Sequence, residues 1–158
     1  MHRWLNAYHV LRLWYGEGTS YREIEGNYLP RIEGRERVRP LAVLYAGTPI
    51  GYLQDYPVSQ DEQYARLVGV ENSVGIDLFI GEKEYLHGGH ILKRSLAEYV
   101  FPDPALAVCV IGPEPNNTPA IGAYENAGFR FFKTIQAPGE PEYLMRLGSE
   151  DLERGSDG

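Results

Sequence analysis

Two side chains in this sequence sit where chemistry could use them, Tyr124 and Asp77. Tyr124 lies in GPEPNNTPAIGAYENAGF, Gly112 to Phe129. Asn117 or Thr118 can cap a helix here, Pro119 fits its first turn where a missing N–H costs little, and Gly128 fits the residue just past its end. Ala120, Ile121, Tyr124 and Ala127 share one face of that helix, so the phenol points the way the packed residues do. That placement suits a core tyrosine as well as a proton donor. Asp77 interrupts an apolar run, Val74 to Ile80, that reads as a buried strand. A carboxylate inside such a run needs a partner or a purpose. It is either a strand-end residue paired with a lysine or arginine, or a base or ammonium-holding carboxylate.

A third stretch, Tyr85-Leu-His-Gly-Gly-His-Ile91, precedes a helix that carries Ile91, Leu92, Leu96, Tyr99 and Val100 and ends before Pro102. Strand, glycine-rich turn, helix is an arrangement that offers backbone N–H groups to a phosphate. His87 and His90 are spaced i, i+3 with no carboxylate pair nearby. They read as turn and helix-start residues, and no metal site is expected. Cys109 is the one cysteine, set in an apolar run, so it reads as a small buried hydrophobe and no intrachain disulfide is possible.

The elements that must position these groups follow from the pattern along the chain. Arg3 to Leu13 carries a near-helical apolar stripe, ended by Trp14-Tyr15-Gly16. Ser20 and Glu23 have capping-box spacing, so a second helix should run to about Pro30 or Ile32. Residues 41–45 and 50–58 read as two strands of a hairpin across the turn 46–49. Residues 59–72 turn polar and read as a loop whose Asp61, Glu62 and Glu71 are candidates for the rim of a cationic-ligand site. Residues 105–111 form a strand, and 129–135 and 142–147 form another hairpin. One domain is expected over 1–148, with an acidic, disordered tail at 149–158.

Composition narrows the partners. The chain has 158 residues and a formal net charge of −7. Nucleic acid is an unfavourable partner for that charge and a cationic small molecule a favourable one. No apolar run is long enough for a membrane span and no basic-then-apolar leader opens the chain, so the expected location is the cytoplasm.

Asn117-x-x-Ala-Ile-x-x-Tyr124-Glu-x-Ala-Gly-Phe129 resembles the last motif of the GNAT N-acetyltransferase superfamily. Gly75-Ile-Asp-Leu-Phe-Ile-Gly81 resembles the central-strand segment of its aminoglycoside 6′-N-acetyltransferase branch. Trp4-Leu5-Asn6-x-x-His9-Val10 with Trp14-Tyr15-Gly16 resembles that branch's first helix and following loop. Pro49-Ile-Gly-Tyr52 and Gln54 with Tyr56 fit its second hairpin strand. The similarity runs from about Trp4 to Leu147. It implies an α/β (α+β) GNAT fold with a mixed, mostly antiparallel central sheet flanked by helices.

The resemblance also implies a reaction, in which a primary amine of a cationic small molecule attacks the thioester of acetyl-CoA, with no metal. Asp77 would help remove the amine proton, directly or through water. A backbone N–H near Leu78 on the segment Leu78, Phe79, Ile80 would stabilise the thioester oxygen. Tyr124 would protonate the departing thiolate, Asn117 would line the pantetheine, and the turn His87, Gly88, Gly89, His90 would face the pyrophosphate. Trp14, Tyr15, Asp55, Tyr56 and Glu71, with Asp77, are the candidates for the amine-binding cleft, from position and charge.

Three departures from the family are visible. The pyrophosphate turn has Leu86 at the family's Gln/Arg position, His87 at a glycine of this branch and Ile91 at the final small position. Gly112 replaces an aspartate expected to contact the substrate. The sequence opens on the family's first helix without the strand before it, which would expose the edge of the 41–45 strand to pairing or homodimerisation. A GNAT-fold binding module without catalysis, or an N-acyltransferase acting on a siderophore-type amine, are the alternatives these departures keep open.

Overall fold

A computed structural model describes residues 1–14, 18–85, 89–103 and 106–154, without the side chains of 12–14 and 152–154. These residues fall into two compact units that interleave along the sequence, Met1–Tyr56 with Asp77–His87, and Pro57–Ile76 with Gly88–Gly158.

The first unit begins with two short helices, α1 (His2–Leu5) and α2 (Tyr8–Trp14), where one helix over Arg3–Leu13 is expected. Asn6 makes the break. Its Nδ2 donates to the carbonyls of His2 (2.8 Å) and Thr19 (2.9 Å), and its Oδ1 accepts from the Thr19 N–H at 3.1 Å. A side chain that bonds backbone this way competes with a continuous helix. Helix α3 (Tyr21–Ile32) has the expected capping box, with the Glu23 N–H donating to Ser20 Oγ (3.2 Å) and the Ser20 N–H to the Glu23 carboxylate (2.7 Å). The Ser20 hydroxyl, which donates to the Glu23 carboxylate at 2.7 Å, and then the Ser20 N–H hold that carboxyl below its ordinary pKa.

Strands β1 (Arg39–Tyr45) and β2 (Thr48–Pro57) form the hairpin, from Arg39 opposite Asp55 to Tyr45 opposite Thr48. The turn is tighter than the expected 46–49. Ala46 and Gly47 both have positive φ, 48° and 79°, the sign pattern that matches a two-residue turn to strand twist. The second half of β3 (Ser73–Ile80) completes the unit's strand order β1-β2-β3, leaving β1 at the edge. Leu5, Val10, Ile24, Tyr28, Tyr52 and Phe79 make its core. Tyr52 sits edge-on to Tyr28 (5.2 Å between ring centroids) and stacks on Phe79 (5.6 Å). Burial of each large apolar side chain contributes about 1.5–3 kcal/mol.

The second unit takes the first half of β3 and continues β3-β4-β6-β5 through β4 (Val108–Ile111), β6 (Pro141–Gly148) and β5 (Arg130–Gln136). The β3–β4 pair is parallel, whereas β4–β6, β5–β6 and the β1–β2 hairpin are antiparallel. The mixed, mostly antiparallel sheet of an α/β protein is therefore as expected. Val58, Val68, Val110, Ile135, Ala137 and Leu144 are buried together, and Cys109 is a buried free thiol.

Two expectations are corrected here. The polar stretch 59–72 contains α4 (Glu62–Val68), capped by Asp61, whose side chain accepts from the Tyr64 N–H at 3.0 Å, and stopped by Gly69 at φ 67°. Within the tail, the described residues form a helix, α7 (Ser149–Arg154), its first turn closed by Asp151, which accepts the Gly148 N–H at 3.2 Å; residues 155–158 lie outside the described residues. Helix α5 (Gly89–Ser95) runs on as a π-helical turn, Leu96–Val100, and α6 (Thr118–Asn126) lies within the expected bounds. No helix of the described residues is long and apolar enough to cross a membrane.

Candidate active site

Asp77 stands on β3 as a partly buried residue whose carboxylate head is turned inward, and its partner is neither lysine nor arginine. Gln54 on β2, itself buried, donates from Nε2 to Asp77 Oδ2 at 2.8 Å. Gln54 Oε1 in turn accepts from Arg31 Nη1 (3.0 Å) and from the Tyr52 hydroxyl (2.8 Å). Burial pushes the Asp77 pKa above its ordinary value, while the Gln54 hydrogen bond and then the Arg31 charge pull against that rise. A carboxylate whose pKa is raised takes up a proton more readily than an exposed one.

The neighbours of Asp77 on its strand divide by role. Phe79 is core, and Leu78 and Ile80 are half-buried. The Ile80 carbonyl lies 3.1 Å from His9 Nε2, and the N–H groups of Gly81 and Glu82 both donate to the Ile50 carbonyl. Gly51 is needed beside this strand, because a Cβ there would stand 2.4 Å from the Phe79 carbonyl oxygen. Asp55 is buried and held by Arg39, with contacts of 3.0 and 2.6 Å to Oδ2, an ion pair that accounts for its burial. Tyr56 is half-buried at the end of β2. Trp14 ends α2, but its side chain, like Tyr15, Leu86, His87 and Gly88, lies outside what is described.

In the second unit, Asn117 caps α6, its Oδ1 accepting from the Ala120 N–H at 3.3 Å. Tyr124 is half-buried on the same helix, its ring 6.0 Å from that of Phe129. Gly89 opens α5, His90 is exposed and Ile91 is buried. Glu71 is exposed in the turn before β3. Among the described residues no cluster of three or more His, Cys, Asp or Glu side chains could hold a metal.

The space beside Gly112 is filled by a carboxylate from β6. A Cβ built on Gly112 would lie 2.3 Å from Glu142 Oε2, so the head of Glu142 occupies the space a side chain at 112 would fill. The Tyr64 hydroxyl donates to that same oxygen at 2.8 Å. Close by in sequence, a hydrogen bond with Glu140 raises the Glu114 pKa, helped by burial and like charge.

A model of the acetyltransferase (GNAT) domain matches residues 1–137. The chain belongs to the GNAT acetyltransferase family. It is an acetyl-CoA-dependent N-acetyltransferase. This acetyltransferase is 32% identical to an aminoglycoside N(6')-acetyltransferase type 1 of Klebsiella pneumoniae, over 98% of its own length and 79% of the relative's. Among solved structures it is similar to AAC(6')-Ib in complex with paromomycin and acetyl-CoA, at TM-score 0.82 and 29% identity, covering 97% of this chain and 88% of the other. AAC(6')-Ib with coenzyme A and kanamycin matches at TM-score 0.82 and 28% identity, covering 98% and 91%.

Arg31, Tyr64 and Glu142 of the acetyltransferase carry no signal in the sequence that marks them as site residues. Gln54 is visible there only through its family-like segment. All four are brought in by contacts between residues far apart along the chain, which no local spacing encodes.

Proposed function

We propose that the acetyltransferase modifies the 6′-amino group of an aminoglycoside. The observation that carries this reading is the Asp77 carboxylate, held by a neutral amide and not by a salt bridge, and so still able to accept an ammonium. The similarity to aminoglycoside acetyltransferases across almost the whole chain supports the substrate class. In the proposed reaction the amine nitrogen attacks the thioester carbon of acetyl-CoA, the C–S bond breaks, and the amine proton passes to Asp77. Tyr124 gives its phenolic proton to the thiolate, and the Leu78 N–H, on the segment continuing to Phe79 and Ile80, polarises the carbonyl.

Acetyl-CoA would be held by the turn His87, Gly88, Gly89, His90 at the start of α5 and by Asn117. Trp14, Tyr15, Tyr56 and Glu71 are proposed for the amine side, with Asp55 contributing through its pair with Arg39. Glu142 joins them as the carboxylate standing in for a side chain at Gly112. Exposed ammonium–carboxylate contacts add only about 0.2–1 kcal/mol each, so a polyamine needs several together. Neither a non-catalytic module nor a siderophore-type acyltransferase is favoured by a specific observation, since Asp77, Asn117 and Tyr124 are all retained. Self-association along the outer edge of β1, where Leu44 and Tyr45 are exposed, belongs to the same proposal and is read by sedimentation.

The test is turnover of acetyl-CoA with kanamycin, with the acetylated position located by NMR. Acetylation at the 6′-nitrogen is the expected result. Free thiol release without amide formation, or acetylation of a simple alkylamine in preference to the drug, would overturn the substrate assignment.

A further inference from the structure

We propose that Arg31 is a positioning residue that acts through the Gln54 amide to hold Asp77 as the charged base of acetyl transfer. This rests on the reading of Asp77 as that base. The chain of contacts is short and directional. A primary amide has one accepting end and one donating end. Arg31 Nη1 and the Tyr52 hydroxyl both occupy the accepting end of Gln54, at 3.0 and 2.8 Å, so the donating end is the one that meets Asp77 at 2.8 Å. Turning the amide over would press its N–H groups on the guanidinium and its oxygen on the carboxylate. The cation therefore fixes the sign of what Asp77 faces.

Arg31 is itself held in place. It lies in the last turn of α3, its guanidinium carbon lies 5.0 Å from the centroid of the Tyr28 ring, and its Nε meets Glu36 at 3.2 Å. A direct arginine–aspartate pair would commit the carboxylate to a fixed cation, as happens at Asp55. An intervening amide passes the influence of the charge while contacting one carboxylate oxygen. Among the described residues no other donor bonds to the Asp77 carboxylate, which keeps Oδ1 for a substrate ammonium. The charged and titratable groups of this network are Arg31, its partner Glu36, and the phenols of Tyr52 and Tyr28. The upward pull of burial on Asp77 is opposed by Gln54 and by Arg31, in agreement with the geometry. Loss of Arg31 removes its attraction and frees the amide to turn over, and both effects favour the protonated carboxyl.

The experiment is the pH profile of kcat/KM for acetyl-CoA and kanamycin in the intact chain, for wild type, Arg31→Met, Arg31→Lys and Asp77→Asn. Asp77→Asn should lose the acid limb together with most activity. Arg31→Met should move that limb up by about one pH unit, a roughly tenfold loss below it that is recovered above it. Arg31→Lys, which keeps the charge, should lie closer to wild type. Tyr52→Phe removes the other donor to Gln54 and should move the limb the same way by less, and it replaces Arg31→Met if that variant does not fold. An Asp77→Asn enzyme with normal turnover and an intact limb would sink the base assignment itself. An inactive Asp77→Asn enzyme alongside an unmoved limb in the Arg31 and Tyr52 variants would sink the relay alone.

Discussion

Replacing Gly112 with aspartate puts the Glu142 observation to a quantitative test. A Cβ at 112 would stand 2.3 Å from Glu142 Oε2, 3.0 Å from its Cδ and 3.1 Å from Leu144 Cδ2. Glutamate must rotate away, and two carboxylates then meet in one place. Overpacking of this kind costs about 1–3 kcal/mol, so Gly112→Asp should lower stability by that amount and leave KM for kanamycin no better than wild type. Glu142→Ala should raise that KM about 1.4- to 5-fold, the equivalent of one screened contact of roughly 0.2–1 kcal/mol. It also takes from the Tyr64 hydroxyl an acceptor at 2.8 Å. Combining the two changes gives the new aspartate both the space and the Tyr64 hydrogen bond. The double variant should therefore be more stable than Gly112→Asp alone and recover the wild-type KM. Denaturant unfolding and steady-state kinetics on the four proteins form a double-mutant cycle. Additive effects in both, or a Gly112→Asp enzyme as stable as wild type, would show that the two positions do not share one carboxylate site.

Asp77→Asn should be inactive yet at least as stable as wild type. With the folded pKa raised above the reference value of 3.8, the native state binds more protons than the unfolded chain between the two pKa values. Wild-type stability therefore falls as pH rises through that window, and the advantage of the asparagine variant, read by unfolding at several pH values, opens there and stays level above it. Tyr124→Phe should lower kcat about a hundredfold or more with little change in KM for acetyl-CoA, and unchanged turnover would remove the phenol from the proposed reaction. Gly51→Ala should destabilise by about 1–3 kcal/mol, because the obstacle is the Phe79 carbonyl oxygen at 2.4 Å, backbone that cannot swing aside. Thermal unfolding reads this as roughly 2–4 °C per kcal/mol for a chain of this size, and a wild-type Tm would contradict it.

What was legible in the sequence was what is written locally. Ser20 with Glu23 and Asn117 with Pro119 each define a helix start within a few residues, and the apolar runs at 74–80 and 142–147 mark strands of the sheet. Helix α4 was not legible, because Tyr64, Ala65, Leu67 and Val68 make an apolar side only two turns long, set inside a polar stretch, and only its ends, Asp61 and Gly69, are helical punctuation. The break between α1 and α2 depends on Asn6 reaching Thr19, a contact that no helical periodicity displays. The tail looked disordered because it is acidic, but those acids sit at the start of α7, where a helix dipole favours them. The same limit governs the site. Asp77 stood out as a charge in an apolar run, whereas the side chains that decide its behaviour, Gln54 and Arg31, read as ordinary polar residues until β2 and α3 bring them to it. At Gly112 a missing side chain suggested a missing charge, and only the folded chain brings the Glu142 side chain there.

The interleaving of the two units has a consequence for biosynthesis. A ribosome delivers residues in order, and the first unit needs residues 77–87, which emerge only after residues 57–76 of the second. The nascent chain must carry that segment as an unfinished loop before Asp77 can meet Gln54. Lengthening such a loop costs little, since closure entropy grows only with the logarithm of its length. The buried face of β2 must nonetheless wait for β3. A pause in translation just before residue 77 would prolong the exposure of Ile50, Tyr52 and Leu53, and it is during that interval that the nascent chain would have most need of a chaperone.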